Sequence, residues 1–528
     1  MILTTKGDSM NGVGKIRSGV SRRWFLRGAT GFAAAPAIIA PAQAQPSIMD
    51  GITAGDVTSN SAVIWAKADR ISRLFVEWST NDSFRNPKRL PYLAVTARTG
   101  HTGQIVLNNL PPGKEIYYRA RFDSADGLTT GKSATGSLRT AGPGRDVSFV
   151  FGGDQCGAGW GIDPASGGLR LFKTMQGTDP DFLVHLGDRI YADRQLNASV
   201  ILGGGSRWTN IITPAKEKVA ESVDEYRGNY SYNFLDEHYR RFSAAVPMMA
   251  TWDDHEVANN WWPGKVLRRR FMQRAGYSET SIDLLAQRGR QAFFDFTPMR
   301  RDTSDPNRIY RKISHGPLVD IFLLDSRSYR APNLKNRQDK AGADATLLGP
   351  AQTAWLKRSL AESRAVWKFV GNPVPIAHVH RKQRPRYDKW ANGDNGLPLG
   401  REIEMAGILS HIKKHRIRNV VWLAADVHYS AANFFDPGRA AFPDFTPFWE
   451  FIGGPFHSKP GRIRHQDLTF GPQRRFRTPI SEDRNPPPSA GHQYFGHAHI
   501  DAKTGGLTVT FRDLSNRVLH SQSITPDR

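Results

Sequence analysis

From residue 145 onward one pattern of apolar and polar positions recurs. A short apolar run stops abruptly at a polar residue, and an amphipathic stretch follows before the next run. The runs occupy 147–154, 181–188, 246–254, 318–325, 367–372 and 419–426, and the amphipathic stretches 226–242, 282–296, 350–363 and 401–415. Runs of this length with no polar alternation predict strands buried on both faces. Interleaved with helices they predict an α/β fold, a layered β-sandwich flanked by helices, over residues 145–520. Residues 194–219 carry Gly203-Gly-Gly205 and no period, which predicts a loop insertion. Alternation returns over 505–523 and predicts terminal strands on a sheet.

The first part of the chain is patterned differently. Between 49 and 140 the segments 57–66, 73–78, 102–110 and 115–122 mostly alternate apolar with polar residues, and Pro, Gly, Asn and Asp separate them. That predicts a small all-β sandwich over 46–141, closed off by the breaker run Ala141-Gly-Pro-Gly144. The run Leu110-Pro-Pro-Gly-Lys-Glu-Ile-Tyr-Tyr118 resembles the corner between the fifth and sixth strands of fibronectin III domains, which implies a structural tyrosine there. Residues 1–44 read as a targeting segment. Ser21-Arg-Arg-Trp-Phe-Leu-Arg27 precedes an Ala-rich, weakly apolar stretch, and Ala42-Gln-Ala44 supplies small residues for cleavage. The paired arginines resemble a twin-arginine export signal, with an amphipathic basic helix as the alternative. The expectation is a periplasmic or secreted protein that meets the twin-arginine export machinery already folded, its metals loaded before export. No apolar run after the first fifty residues is long enough to span a membrane.

Charge and cysteine content narrow the chemistry. The 528 residues carry a formal net charge of +23, and with the six Lys/Arg and single Asp of residues 1–44 removed the remainder is +18. A basic surface suits phosphorylated small molecules or phosphodiesters, and equally nucleic acid or an anionic phospholipid surface. The single cysteine, Cys156, excludes an intrachain disulfide, so stability rests on packing and metals.

The polar residues at the run ends are the candidate chemistry. They are Asp154, Asp188 followed by Tyr191, Asp253-Asp-His-Glu256, Asn372, and Asp426-Val-His428. Carboxylates are seldom buried unless paired or metal-bound, and several converging on one place repel one another without cations. Oxygen ligands with one or two imidazoles form a hard donor set, suited to Fe(III), Mn(II), Mg(II) or Ca(II), with Zn(II) possible.

Gly187-Asp-x-x-Tyr191, Trp252-Asp-Asp-His-Glu256 and Ala425-Asp-Val-His428, in that order, resemble the PhoD-type alkaline phosphatases of the calcineurin-like metallophosphoesterases, a group that includes phospholipase D-type relatives. Leu324-Asp-Ser-Arg-Ser-Tyr-Arg330, Leu348-Gly-Pro-Ala-Gln-Thr-Ala-Trp-Leu356 and Gly371-Asn-Pro373 support the likeness, and Ser59-Asn-Ser-Ala-Val-Ile-Trp65 matches the family's leading domain. The resemblance implies an exported phosphomonoesterase and phosphodiesterase using two or more metal ions, Fe(III) with Ca(II) above the alternatives. It implies Asp188 as the bridging ligand, with Asp154, Tyr191, Asp254, Asn372, Asp426 and His428 as further ligands, and His255 as donor to the phosphoryl oxygen and leaving group. Asp254 and His255 are the implied catalytic pair. Cys156 is either a ligand, in the place where the superfamily has histidine, or a small buried hydrophobe. Arg189 and Arg327, beside the motifs, either clamp the phosphate or hold a carboxylate, and His185 is a supporting or core histidine. A phospholipase D-like or nucleic-acid phosphodiesterase, and a non-catalytic anion-binding protein, are the other readings.

Overall fold

The computed structural model describes residues 45–527 except 204, 380–386 and 463–464, so the export segment expected at 1–44 lies outside the described residues. Among the described residues two large mixed sheets form the core. The nine-stranded sheet runs Val518–Ile524, Leu507–Asp513, Tyr494–Ile500, Val147–Gly152, Phe182–Leu186, Met248–Thr251, Ile48–Gly55, Ala62–Ala68, Thr102–Leu107. The seven-stranded sheet runs Arg311–His315, Val319–Leu323, Trp367–Gly371, Val420–Ala424, Phe448–Ile452, Ala431–Phe435, Pro472–Arg477. Pairing is parallel from Val147–Gly152 through Phe182–Leu186 to Met248–Thr251, and from Val319–Leu323 through Trp367–Gly371 and Val420–Ala424 to Phe448–Ile452.

The pleat sorts each apolar run into two cores. Phe149, Phe151, Phe182, Val184 and Leu186 face Ile321, Leu323, Phe369, Val421 and Leu423 between the sheets. The residues between them in sequence point outward. Val150 and Leu183 join a cluster with the helices Arg170–Gln176, Val223–Asn233, Glu237–Ala245 and Ile282–Phe296, while Phe322, Val370 and Trp422 join one with Pro350–Glu362 and Arg401–Lys414. Burial on both faces is why these runs lack polar alternation. No helix among the described residues is long and apolar enough to cross a membrane.

Two expectations are modified. The amphipathic stretch 226–242 forms two helices, because the Asp236 carboxylate accepts from the Tyr239 amide at 2.9 Å and caps a new start. The insertion 194–219 holds a two-stranded ribbon, Ser199–Ile201 with Arg207–Thr209. The β-rich part 46–141 lies within the one compact unit that the chain forms from Gln45 onward. Its strand Ile48–Gly55 pairs in parallel with Met248–Thr251 and extends the nine-stranded sheet. Gly55 permits this approach, since a Cβ there would lie 2.6 Å from the Met248 carbonyl oxygen. The facing layer is a five-stranded sheet built on Ser72–Ser79 and Glu115–Ser124. Tyr118 in it is buried, and its hydroxyl donates to the Ala244 carbonyl at 3.2 Å.

Candidate metal centre

Each parallel strand of interest delivers its polar residues just past its carboxyl end, the usual location of a site in an α/β sheet. The turn after each strand is tight. Asp154, Asp188, Asp426 and His428 all have φ between 53° and 67°, a left-handed conformation that costs a non-glycine residue energy. Gly187, at φ 98°, lets the second turn pass against the third, where a Cβ would sit 2.4 Å from the Asp253 Cβ. Glu256 ties the turns together: its carboxylate accepts from the amides of Asp188 (3.2 Å), Arg189 (2.8 Å) and Asp253 (2.9 Å).

Among the described residues three groups of candidate ligand atoms result, each with all atoms within 4.8 Å of one another: Asp154, Asp188 and His428; Asp188, Asp254 and His255; and Asp253, Asp254 and Asp426. Asp188 and Asp254 each belong to two groups, so neighbouring ions would share them. The donors fit cations. Both oxygens of Asp154, Oδ2 of Asp253, Oδ1 of Asp254 and Oδ1 of Asn372 are buried without a hydrogen-bond partner, a costly state that a cation relieves. Burial, reinforced by Asp254, Asp253, Glu256 and Asp154, holds the Asp188 carboxyl well above its usual range. Burial likewise pushes Asp253 up to about 8 against the pull of Arg327.

The two histidines are oriented by acceptors on Nδ1. His428 Nδ1 lies 2.8 Å from the Lys459 carbonyl oxygen, which can only accept, so Nδ1 donates there and Nε2 faces Asp154 Oδ1 at 3.2 Å and the Tyr191 hydroxyl at 3.0 Å. His255 Nδ1 donates to Asp193 Oδ1 at 2.7 Å, and its ring stacks on Tyr191 with centroids 4.1 Å apart. Burial opposes charge on His255, but Asp193 and then Asp254 outweigh it and raise the imidazole to about 9. Burial also opposes ionisation of Asp254, yet Arg327 and His255 prevail and bring it to about 2. Burial and the Asp188 charge hold the Tyr191 phenol well above its usual range.

Four residues singled out in the sequence fall elsewhere. Cys156 belongs to the apolar cluster beneath the helices, no ligand group among the described residues includes its sulfur, and burial raises its thiol to about 12, so it is not placed as a ligand. Arg189 is buried away from the cavity; it donates to Thr297 Oγ1 at 3.0 Å and the Phe296 carbonyl at 2.7 Å and covers the Tyr230 ring. Arg327 is wholly buried, bonded to Asp253 at 2.7 Å and Asp388 at 3.0 Å. Neither arginine can clamp a phosphate, because both are consumed by groups behind the wall. His185 is a core histidine against Phe456, its imidazole held well below the usual range by burial.

The cavity above the ligands has a volume of about 190 Å³, and its wall includes Arg194, His378, Lys389, Lys459 and Arg462 beside Asp188, Asp254, His255, Asp426 and His428. Sequence reading missed Asp193, which orients His255, and Glu256 as a brace. A signal for Asp193 was present in its place two residues after Tyr191. No local pattern marked Asp388 or Lys389, which come from a loop preceding the helix Arg401–Lys414.

Acidic and histidine side chains grouped closely enough to hold metal ions at the strand ends of a two-sheet α/β sandwich define the class of this site, and solved phosphatases share the fold. The structure of PhoD superposes with a TM-score of 0.65 at 21% identity, covering 90% of this chain and 89% of that one. A purple acid phosphatase from yellow lupin (Lupinus luteus) seeds superposes with a TM-score of 0.58 at 14% identity, covering 90% of this chain and 74% of its own. The chain belongs to the PhoD-like phosphatase family, whose model matches residues 149–511, with the family's N-terminal domain matching 33–142. Alkaline phosphatase D of Bacillus subtilis is 28% identical over 415 residues, 72% of this chain and 64% of that protein. The aligned part is thus under two thirds of that relative's length.

Proposed function

We propose that this chain is an exported, metal-dependent phosphoester hydrolase acting on phosphomonoesters and phosphodiesters. The observation that carries the reading is Asp188: a buried carboxylate common to two ligand groups, in which its neighbours Asp154 and Asp254 carry unpartnered oxygens. Asp154, Asp188, Tyr191, His428, Asp254, Asn372 and Asp426 would hold the ions. An oxygen-rich set with a phenol and one imidazole favours hard cations, Fe(III) with Ca(II) before Zn(II), Mn(II) or Mg(II). When bound, the ions supply Lewis acidity toward the phosphoryl oxygens and acidify a water at neutral pH.

The chain's own groups do the rest. His255 holds a proton on Nε2 facing the cavity while Asp193 fixes the other nitrogen, the arrangement needed to protonate a departing alkoxide. Arg327 neutralises Asp253 and Asp388 from behind and keeps Asp254 ionised as a ligand. The decisive experiment measures turnover of p-nitrophenyl phosphate and its bis-ester by natively exported protein, with elemental analysis of the same sample. Iron with calcium and hydrolysis of both esters are expected. Hydrolysis of the bis-ester alone would move the reading to a diesterase of phospholipid or nucleic acid, the direction in which the +18 charge of residues 45–528 also points.

A further inference from the structure

Among the described lysines and arginines of the cavity wall, one is buried. Arg194 and Arg462 are exposed and Lys459 is half-buried, whereas Lys389 is 3% exposed. Its ammonium pairs with Asp426 Oδ2 and lies 4.0 Å from Asp388 Oδ2. Residues 387–392, which present it, are held in place. Asp388 is gripped by Arg327 at 3.0 Å and Arg330 at 3.2 Å, and the Tyr387 carbonyl accepts from Arg401 at 2.9 Å. Trp390 is fully buried, and the Asn392 amide donates to Glu402 at 3.0 Å. An ammonium has three donors, and Asp426 engages one of them. A buried cation fixed on the wall of a small cavity needs no reorganisation to meet an anion there, and in that low-dielectric setting its field is strong.

We propose that Lys389 is a catalytic residue of this site, its ammonium contacting a non-bridging oxygen of the phosphoryl group beside Asp254 and His255. The inference rests on the phosphoesterase reading and replaces the arginine clamp expected from the sequence. In the hydrolysis, the water oxygen bonds to phosphorus and the bond from phosphorus to the alkoxide breaks with its electron pair going to the alkoxide. The proton released by water balances the one His255 gives the alkoxide. Lys389 exchanges no atom, and its charge offsets the negative charge that gathers on the phosphoryl oxygens. Because Asp426 holds the ammonium in place, the residue acts as a fixed point charge rather than a mobile arm.

The test uses metal-loaded full-length protein, with Lys389→Met removing the charge and Lys389→Gln as a second variant should the first not fold. Affinity for inorganic phosphate is measured by calorimetry, kcat and KM on p-nitrophenyl phosphate, and metal content by elemental analysis. The expected result is unchanged metal content, phosphate bound at least about tenfold more weakly, and kcat/KM lower by about 10²-fold or more. Phosphate affinity and kcat/KM equal to wild type would overturn the inference. So would a gain or loss of one metal ion per chain, since Lys389 would then be a stand-in for a cation at Asp426. If wild-type protein with its metals hydrolyses neither ester, the phosphoesterase reading fails, while the phosphate calorimetry still decides whether Lys389 binds the anion.

Discussion

Replacing Asp193 by Asn tests the link between geometry and proton chemistry most directly. The change is isosteric, and it removes the charge 2.7 Å from His255 Nδ1. Raising a buried imidazole from 6.5 to about 9 corresponds to roughly 3 kcal/mol at about 1.4 kcal/mol per unit. Burial works against that rise, and Asp193 is the largest contributor to it, ahead of Asp254. In the variant, burial then prevails and the imidazole loses its proton at lower pH. Since a raised histidine is stabilising below its unfolded value and loses that contribution as pH climbs through its folded value, wild-type protein keeps the contribution below about pH 6.5 and sheds it toward pH 9. The variant lacks this window.

Bound cations lower His255 in both proteins, so the quantity to read is the difference between them. The assay is the pH profile of kcat/KM on an ester with a poor leaving group, where protonation of the alkoxide matters most. The alkaline limb should move down by about one unit or more, with kcat/KM on the alkaline side lower by about 10²-fold, the typical worth of general acid catalysis. Metal content should stay at the wild-type level, because Asp193 belongs to none of the ligand groups. An unchanged alkaline limb in a folded, metal-replete variant would refute the assignment of His255 as the acid.

Asp188→Asn, which weakens two ligand groups at once, is expected to lower both metal content and activity, the latter by about 10³-fold or more, as elemental analysis and ester turnover would report. Cys156→Ala should leave metal content and kcat/KM within about twofold of wild type while lowering stability by about 1 kcal/mol, read by urea denaturation, because the thiol only fills the apolar cluster. Metal-stripped protein should lose stability as pH rises from about 4 to about 8, since a buried carboxyl such as Asp253, raised to about 8, holds its proton in the folded state and gives it up in the unfolded one. Adding the ions back should flatten that slope in thermal melts, and an unchanged slope would show that the carboxylates are not where the cations bind.

The polar strand ends were legible because the signal is local. An apolar run buried on both faces has only its end free for a polar residue, so Asp154, Asp188, Asn372 and Asp426 stand out in one dimension. The helices Ile282–Phe296, Pro350–Glu362 and Arg401–Lys414 were likewise readable from apolar spacing. The break at Asp236 was missed because the amphipathic period runs through a residue whose carboxylate caps a new helix. The fate of Arg189 and Arg327 was missed for a different reason. A guanidinium beside a motif has the same sequence neighbours whether it faces substrate or core, and only the positions of Thr297 and Asp388, 108 and 61 residues away, decide.

What the sequence determined by itself is therefore the architecture of layers and the ring of oxygen donors, since both follow from which faces of each element must leave water. The tertiary structure decided which groups meet. It set Asp193 against His255, sent both arginines behind the wall, and brought Lys389 from a distant loop onto Asp426. It also joined the strand Ile48–Gly55 to the main sheet at Gly55. Charge pairing and edge-strand pairing depend on distance in space, and residues far apart in the chain acquire that distance only when the two sheets close on each other.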